Sequence, residues 1–116
     1  MSTSDCLFCK IRDGKIKADV IFQDDRCLAL RDINPQAPTH ALVVPKKHIA
    51  TLNDLAPDDE PLLGHLVVVA AKVAADSGHA DSGWRTVFNV NQNAGQTVFH
   101  IHLHVLAGRV FAWPPG

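Results

Sequence analysis

The chain has 116 residues, a length suited to one small domain, and 47% of them are apolar, so a packed core can form. A formal net charge of −1 gives no electrostatic basis for binding nucleic acid or an anionic membrane, and no apolar run is long enough for a transmembrane helix. The opening Met-Ser-Thr-Ser-Asp lacks the basic-then-apolar pattern of a secretion signal, and three cysteines make an odd count without a disulfide framework, so a reducing cytoplasm is expected.

Residues 5–13 read as a short helix: Ser4 or Asp5 can cap it, Leu7, Phe8 and Ile11 share a face, and Gly14 can end it. Residues 19–23 and 27–31 are short strands around an Asp24-Asp25 turn, with Cys27 simplest as a buried apolar residue. Residues 41–44 form a third strand, fed by an extended stretch holding Pro35 and Pro38 and stopped by Pro45. The longest periodic stretch, 58–77, predicts a helix with Pro61 in its first turn and Gly78 as terminator. Leu62, Leu63, Leu66, Val67, Ala70, Val73 and Ala74 make its apolar stripe; Val68 and Val69 extend it nearly all round, as a dimer contact on a second side would require. His65 and His79 read as helix-surface residues. Residues 85–91 form a strand, 92–95 a polar turn, and 97–107 the last strand. One helix, three strands, one helix and two strands with short connections predict an α+β domain over 1–116, with a five-stranded antiparallel sheet.

In the last strand His100, His102 and His104 alternate with Ile101, Leu103 and Val105. Alternate residues of a strand share a face, so the three rings would stand roughly 6.5–7 Å apart in one row. Such a row can hold a metal, grip a phosphate or supply a nucleophile. A neutral imidazole attacks phosphorus near neutral pH and leaves a covalent intermediate that water resolves. The attacking nitrogen must be unprotonated, so its ring needs a partner for the other nitrogen. His40 and the strand backbone are both candidates, and the sequence does not rank them. His104 can donate to a nonbridging phosphate oxygen. Gly95, Gln96 and Thr97, in the preceding turn, offer a closely approaching backbone N–H, an amide and a hydroxyl, a phosphate cradle without lysine. Cys6 and Cys9 form a Cys-x-x-Cys pair, which reads as redox or as half a zinc site; the absence of a βαβ pattern disfavours a thioredoxin-like use.

The alternating histidines resemble the His-x-His-x-His motif of the histidine triad family of nucleotide-binding proteins. Asp32-Ile33-Asn34-Pro35-Gln36-Ala37-Pro38-Thr39-His40 and Pro45-Lys46-Lys47-His48-Ile49 resemble two further blocks of that family. Asn89 stands 11 residues before His100, where the family carries a phosphate-side asparagine. Gly108-Arg109 and Trp113-Pro114-Pro115-Gly116 are similar to its nucleoside phosphoramidase branch.

The resemblance implies a hydrolase of adenosine or guanosine 5′-phosphoramidates and related mixed adenylates. His102 would be the nucleophile, with His104, His40 and Thr97 completing the catalytic set and no catalytic metal. It implies ribose binding by Asp32, a purine among Leu7, Phe8, Ile11, Ile16, Leu30 and Ile33, and a phosphate side formed by Asn89, Gly95, Gln96 and Thr97. Thr97 stands where close relatives often carry serine, so leaving-group preference is expected to differ. Trp113 would reach the site of a partner subunit, which implies a homodimer with the sheet continued across it. Several bacterial members hold structural zinc with such a cysteine pair, which assigns Cys6, Cys9, His48 and His100 as ligands here; many phosphoramidase relatives lack the cysteines, so the chain mixes two branches. Other readings are a dinucleoside polyphosphate hydrolase, a nucleotide-binding regulator with incidental hydrolysis, and a metalloenzyme using His100, His102 and His104 as three zinc ligands.

Overall fold

The computed structural model describes residues 3–116. β1 (Val20–Gln23) and β2 (Cys27–Arg31) form a hairpin whose turn is set by Asp24, its Oδ1 accepting the N–H groups of Arg26 and Cys27, both at 2.8 Å. β2 pairs with β3 (Thr39–Pro45) along its whole length, from Cys27 opposite Pro45 to Arg31 opposite Ala41. β3 pairs in turn with β5 (Leu103–Ala107), and β5 with β4 (Trp84–Val87). Among the described residues this makes one antiparallel sheet of five strands, ordered β1-β2-β3-β5-β4, with two α-helices. The expected α+β class and antiparallel sheet are what the chain forms.

Strand alternation gives the sheet two unlike faces. Cys27, Ala29, Ala41, Val43, Leu103 and Val105 point to α2 (Glu60–Asp76) and pack on its Leu66, Val69, Ala70, Val73 and Ala74. Each branched aliphatic side chain buried this way contributes about 1.5–3 kcal/mol. Leu28, Leu30 and Val44 point to the other face, where Cys6, Phe8 and Cys9 of the N-terminal segment cover them. No helix among the described residues is long and apolar enough to cross a membrane.

Several boundaries differ from the sequence reading. The first helix, α1, is Leu7–Arg12, and its cap is Cys6 rather than Ser4 or Asp5, with Sγ accepting the Cys9 N–H. α2 begins at Glu60 after a 3₁₀ turn at Pro57–Asp59, and its stripe is rotated: Val67 and Val68 are exposed while Val69 joins the core. His65 is not a free surface residue, because its Nε2 lies 2.6 Å from Asp24 Oδ2 and ties α2 to the β1–β2 turn. Although partial burial opposes its ionisation, Asp24 is held well below the usual carboxylate range by the Arg26 and Cys27 N–H groups and His65.

The largest correction concerns the last strand, which starts at Leu103 and not at 97. In the continued register Ile101 would face Pro45, which has no N–H to offer the ladder. Ile101 N–H donates instead to Ile49 O at 2.8 Å. β4 likewise ends at Val87 rather than Asn91, before a 3₁₀ turn (Gln92–Ala94) flanked by Asn91 at φ 62° and Gly95 at φ 83°. The alternation outlives the ladder: Ile101, Leu103 and Val105 all belong to the α2-side core.

Candidate active site

His102 sits in the unladdered segment just before β5, on the α1 side of the sheet. Its Nδ1 lies 2.8 Å from the backbone oxygen of His100. A carbonyl only accepts, so Nδ1 carries the proton and Nε2 keeps its lone pair. Of the two partners open for this ring, the backbone takes the role and His40 does not. Burial lowers the His102 pKa, against the opposing pull of the His100 carbonyl and Asp32. The ring is therefore neutral at neutral pH.

His40 belongs to a different chain of bonds. Gln36 N–H donates to His40 Nδ1 at 3.0 Å, which places the His40 proton on Nε2. That proton meets His104 Nδ1 at 2.9 Å, with Asp32 Oδ2 further off at 3.4 Å. His104 Nδ1 accepts, so its own proton is on Nε2. Three polar groups in series thus present one N–H beside His102, whose ring centroid is 5.0 Å from that of His104. Burial, with added repulsion from His102 and His40, pushes His104 down to about 4. Burial also lowers His40, against the attraction of Asp32.

His102 and His104 line a cavity of about 450 Å³ between α1 and the sheet. Phe8 meets both His100 and His102 edge-on, at centroid distances of 5.7 and 5.1 Å. Leu7, Ile11, Ile16, Leu30 and Ile33 line the cavity, Ile33 fully exposed at the rim. Leu42 and Val98 also line it. Leu42 was findable in the sequence, since it alternates with Ala41 and Val43 and so shares the face of His40. On the β1 side Lys17, Asp19 and Arg31 reach the cavity, with Arg31 and Asp19 paired at 3.0 Å. Asp32, at the end of β2, lines it too, and one of its oxygens accepts Asn34 N–H at 2.8 Å.

Asn89, Gly95 and Thr97 close the opposite side. Gln96 does not join them. Its amide is buried and committed: Nε2 donates to Ala50 O (2.8 Å) and Val98 O (3.1 Å), and Oε1 accepts Asn91 N–H (2.9 Å). The expected phosphate donor is instead the pin that shapes the turn. His40 stands behind His104, off the cavity, and meets it only through their shared hydrogen bond. Trp113 is 82% exposed and lies with Arg85, Thr86, Val87 and Phe88 along β4, away from the cavity of its own chain.

His100, on the same face, turns its ring away from the cavity and toward the N-terminal segment. Its Nδ1 lies 3.2 Å from Cys6 Sγ, 3.6 Å from Cys9 Sγ and 3.1 Å from His48 Nδ1, while Cys9 Sγ lies 3.4 Å from His48 Nδ1. Ligands of a tetrahedral zinc bound at ordinary Zn–N and Zn–S lengths stand about 3.3–3.8 Å apart; these separations run from 3.1 to 3.6 Å, at or slightly under that range, and two sulfurs with two imidazole nitrogens are a donor set that suits the ion. His100 Nε2–H donates to Pro45 O at 2.7 Å, the outer bond that turns a ligating imidazole inward. Burial pushes His100 down to about 4, which leaves the ring neutral and able to ligate. The arrangement separates the three alternating histidines: His100 has Nε2 bonded to Pro45 O and Nδ1 among Cys6, Cys9 and His48, so it has no nitrogen to share with His102 and His104 on a single metal.

Residues 13–111 match the model of the HIT domain family. The chain is 51% identical over 112 residues to an uncharacterized HIT-like protein of Synechocystis sp., covering 97% of each. It is 47% identical over 103 residues to the purine nucleoside phosphoramidase of Escherichia coli, covering 89% of this chain and 87% of that one. Among solved structures, a HIT family hydrolase from Legionella pneumophila is 56% identical and superposes with a TM-score of 0.95, over 97% of this chain and 100% of that one.

Proposed function

The chain belongs to the HIT domain family, and on that premise we propose that it is a nucleotide-binding hydrolase that cleaves the phosphorus–nitrogen bond of purine nucleoside 5′-phosphoramidates and related mixed adenylates. One observation carries the reading: a neutral His102 with its Nε2 lone pair free stands beside a His104 whose N–H is set by a directed chain from Gln36. His102 Nε2 attacks the phosphorus, a P–N bond to the enzyme forms, and the substrate P–N bond breaks with its electron pair going to the leaving nitrogen, which takes a proton from solvent and departs as the amine. Water then attacks the same phosphorus, the bond to Nε2 breaks with its pair returning to the ring, a water proton passes back to solvent, and the nucleoside monophosphate and the free imidazole are released. His104 donates to a nonbridging oxygen as charge builds there, which is worth most in a partly buried site. Thr97 supplies a hydroxyl on the leaving-group side. Asp32 accepts from the ribose hydroxyls, and the apolar wall around Phe8 and Leu30 takes the purine. The phosphoramidase of Escherichia coli at 47% identity supports the choice of a P–N bond.

Cys6, Cys9, His48 and His100 are assigned to structural zinc. When bound, the ion would cross-link α1 to the end of β3 and the approach to β5, and would take no part in the reaction. A homodimer fits the same reading. β4 is a free sheet edge carrying Trp113, and α2 exposes Val67 and Val68, so a second copy pairing at β4 would continue the sheet and cover them.

The test is turnover of adenosine 5′-phosphoramidate by the wild type, with and without chelator, and by His102→Ala. The expected result is loss of about 10³-fold or more in the variant, with wild-type turnover surviving chelation while circular dichroism shows the fold intact. Activity persisting in His102→Ala would overturn the mechanism.

A further inference from the structure

We infer that Arg109 is a positioning residue for this site: it holds the backbone of Gln36, which sets the proton on His40 and through it the donor nitrogen of His104. The inference deepens the proposed hydrolase reading and takes its catalytic meaning from it.

Arg109 lies in the exposed turn after β5, yet it is pinned. Its Nε–H donates to Gln36 O at 3.0 Å and its Nη1–H to Val110 O at 3.1 Å, and the guanidinium carbon lies 4.3 Å from the centroid of the Phe111 ring. The turn meets the same loop at a second point. Gly108 has φ +95°, and a Cβ there would sit 2.9 Å from Pro38 Cβ, closer than side-chain atoms tolerate. One turn therefore seats Pro38 and catches Gln36. The Gln36 side chain cannot do this itself, since its Nε2 bonds within the loop, to Asn34 O at 3.0 Å.

The Gln36 amide matters because His40 has one proton and two ways to place it. With Gln36 N–H on Nδ1, the proton is on Nε2, and the series runs Gln36 to His40 to His104. If the Gln36 backbone moves away, Nδ1 loses its donor and the other tautomer opens. His40 Nε2 then becomes an acceptor, His104 must donate from Nδ1, and His104 Nε2 loses its proton. A donor beside the phosphate becomes a lone pair, which repels the charge it had stabilised. Asp32 Oδ2, 3.4 Å from His40 Nε2, favours the same tautomer at longer range, but the one hydrogen bond to His40 Nδ1 is the Gln36 N–H, and Arg109 reaches that residue from the far side of the loop.

The experiment pairs kinetics on adenosine 5′-phosphoramidate with ¹⁵N NMR of the histidine rings in the ligand-free protein, for wild type, Arg109→Ala, Arg109→Lys and Gly108→Ala. In the wild type, His40 and His104 should both be protonated at Nε2. Arg109→Ala should mix or reverse those tautomers and lower kcat about tenfold, with AMP affinity within about twofold. Arg109→Lys, which keeps a donor for the Gln36 carbonyl, should recover most of kcat. Gly108→Ala, which displaces Pro38, should shift the tautomers in the same direction as Arg109→Ala. Unchanged tautomers in both Arg109→Ala and Gly108→Ala would overturn the inference, whatever the rates. A wild type that turns over no phosphoramidate would overturn the hydrolase reading instead, and the ring spectra would still decide whether Arg109 sets the series.

Discussion

Two imidazole clusters stand side by side on one face of the sheet, and they use the same chemical group in opposite ways. Around His100, ring nitrogens and sulfurs converge on one point, with the two Nδ1 atoms 3.1 Å apart. Around His104, ring nitrogens line up in series, each donating to the next. The difference lies in which nitrogen a backbone group takes. Pro45 O takes His100 Nε2–H and leaves Nδ1 pointing inward with a lone pair. His100 O takes His102 Nδ1–H and leaves Nε2 to the cavity. Alternation placed the rings together, but one carbonyl per ring divided them into one with Nδ1 turned to the cysteines and one with Nε2 turned to the cavity.

Substitution at each cluster should break the comparison in a different observable. His104→Ala removes the donor at the phosphate and should lower kcat about 10²-fold, the scale of losing one donor to developing charge. Its melting temperature should stay within a few degrees of wild type, since His104 is only half-buried and His40 keeps Asp32 as an acceptor. Cys9→Ser should do the reverse. It weakens the four-ligand cluster that joins α1 to the sheet, so melting temperature should fall and stop rising with added zinc, while turnover at 25 °C stays within about threefold. For a chain of this size each kcal/mol lost is about 3–6 °C. Differential scanning calorimetry with and without added zinc, run beside steady-state kinetics, separates the two. If Cys9→Ser loses activity as deeply as His104→Ala while still folded, the two clusters do not divide stability from turnover.

How much of this was legible in the sequence depends on how local each cause is. The three histidines sharing a face was legible, and it held even where hydrogen bonding to the neighbouring strand stops, because Ile101, Leu103 and Val105 are still drawn into the core. The strand's true start was not, since it depends on Pro45 facing Ile101 across the sheet. Gln96 was misjudged for the same kind of reason: its amide is spent on the Ala50 carbonyl, 46 residues away in sequence, and no local pattern shows that. The rotation of α2 that buries Val69 and exposes Val67 is set by how the helix meets the sheet, which a stripe of nine apolar residues does not specify. His65 looked like surface because its partner, Asp24, reads as an ordinary turn residue. The cysteine pair read as redox or as half a zinc site, and the resemblance supplied His48 and His100 as the other half; what the fold adds is the spacing of the four.

The smallest expected effect is also the sharpest check on the ordered series, because it asks for almost no change where an ordinary histidine would change most. An unperturbed imidazole is half protonated near pH 6.5. His104 is pushed down to about 4 and His40 is lowered too, both chiefly by burial. If His104 must accept at Nδ1 and donate at Nε2, its ring should stay neutral from pH 8 to pH 6 and take a proton at Nδ1 only below pH 5, as ring ¹⁵N NMR reads directly, while turnover, which also needs an unprotonated His102, should fall only below the pH 6.5 of an ordinary histidine. Stability follows with a definite sign. Between about pH 4 and pH 6.5 the unfolded chain binds a proton at this residue that the folded chain refuses, so stability is full above pH 6.5 and is lost as pH falls toward 4. Thermal melts stepped from pH 8 to pH 4.5 should therefore be flat and then decline, while kcat stays level until the melts have already begun to drop. A His104 ring that itself takes a proton near pH 6.5 would titrate as an exposed ring does, and the hydrogen-bonded series from Gln36 would lose its support; a kcat that halves there with His104 still neutral would assign the loss to His102.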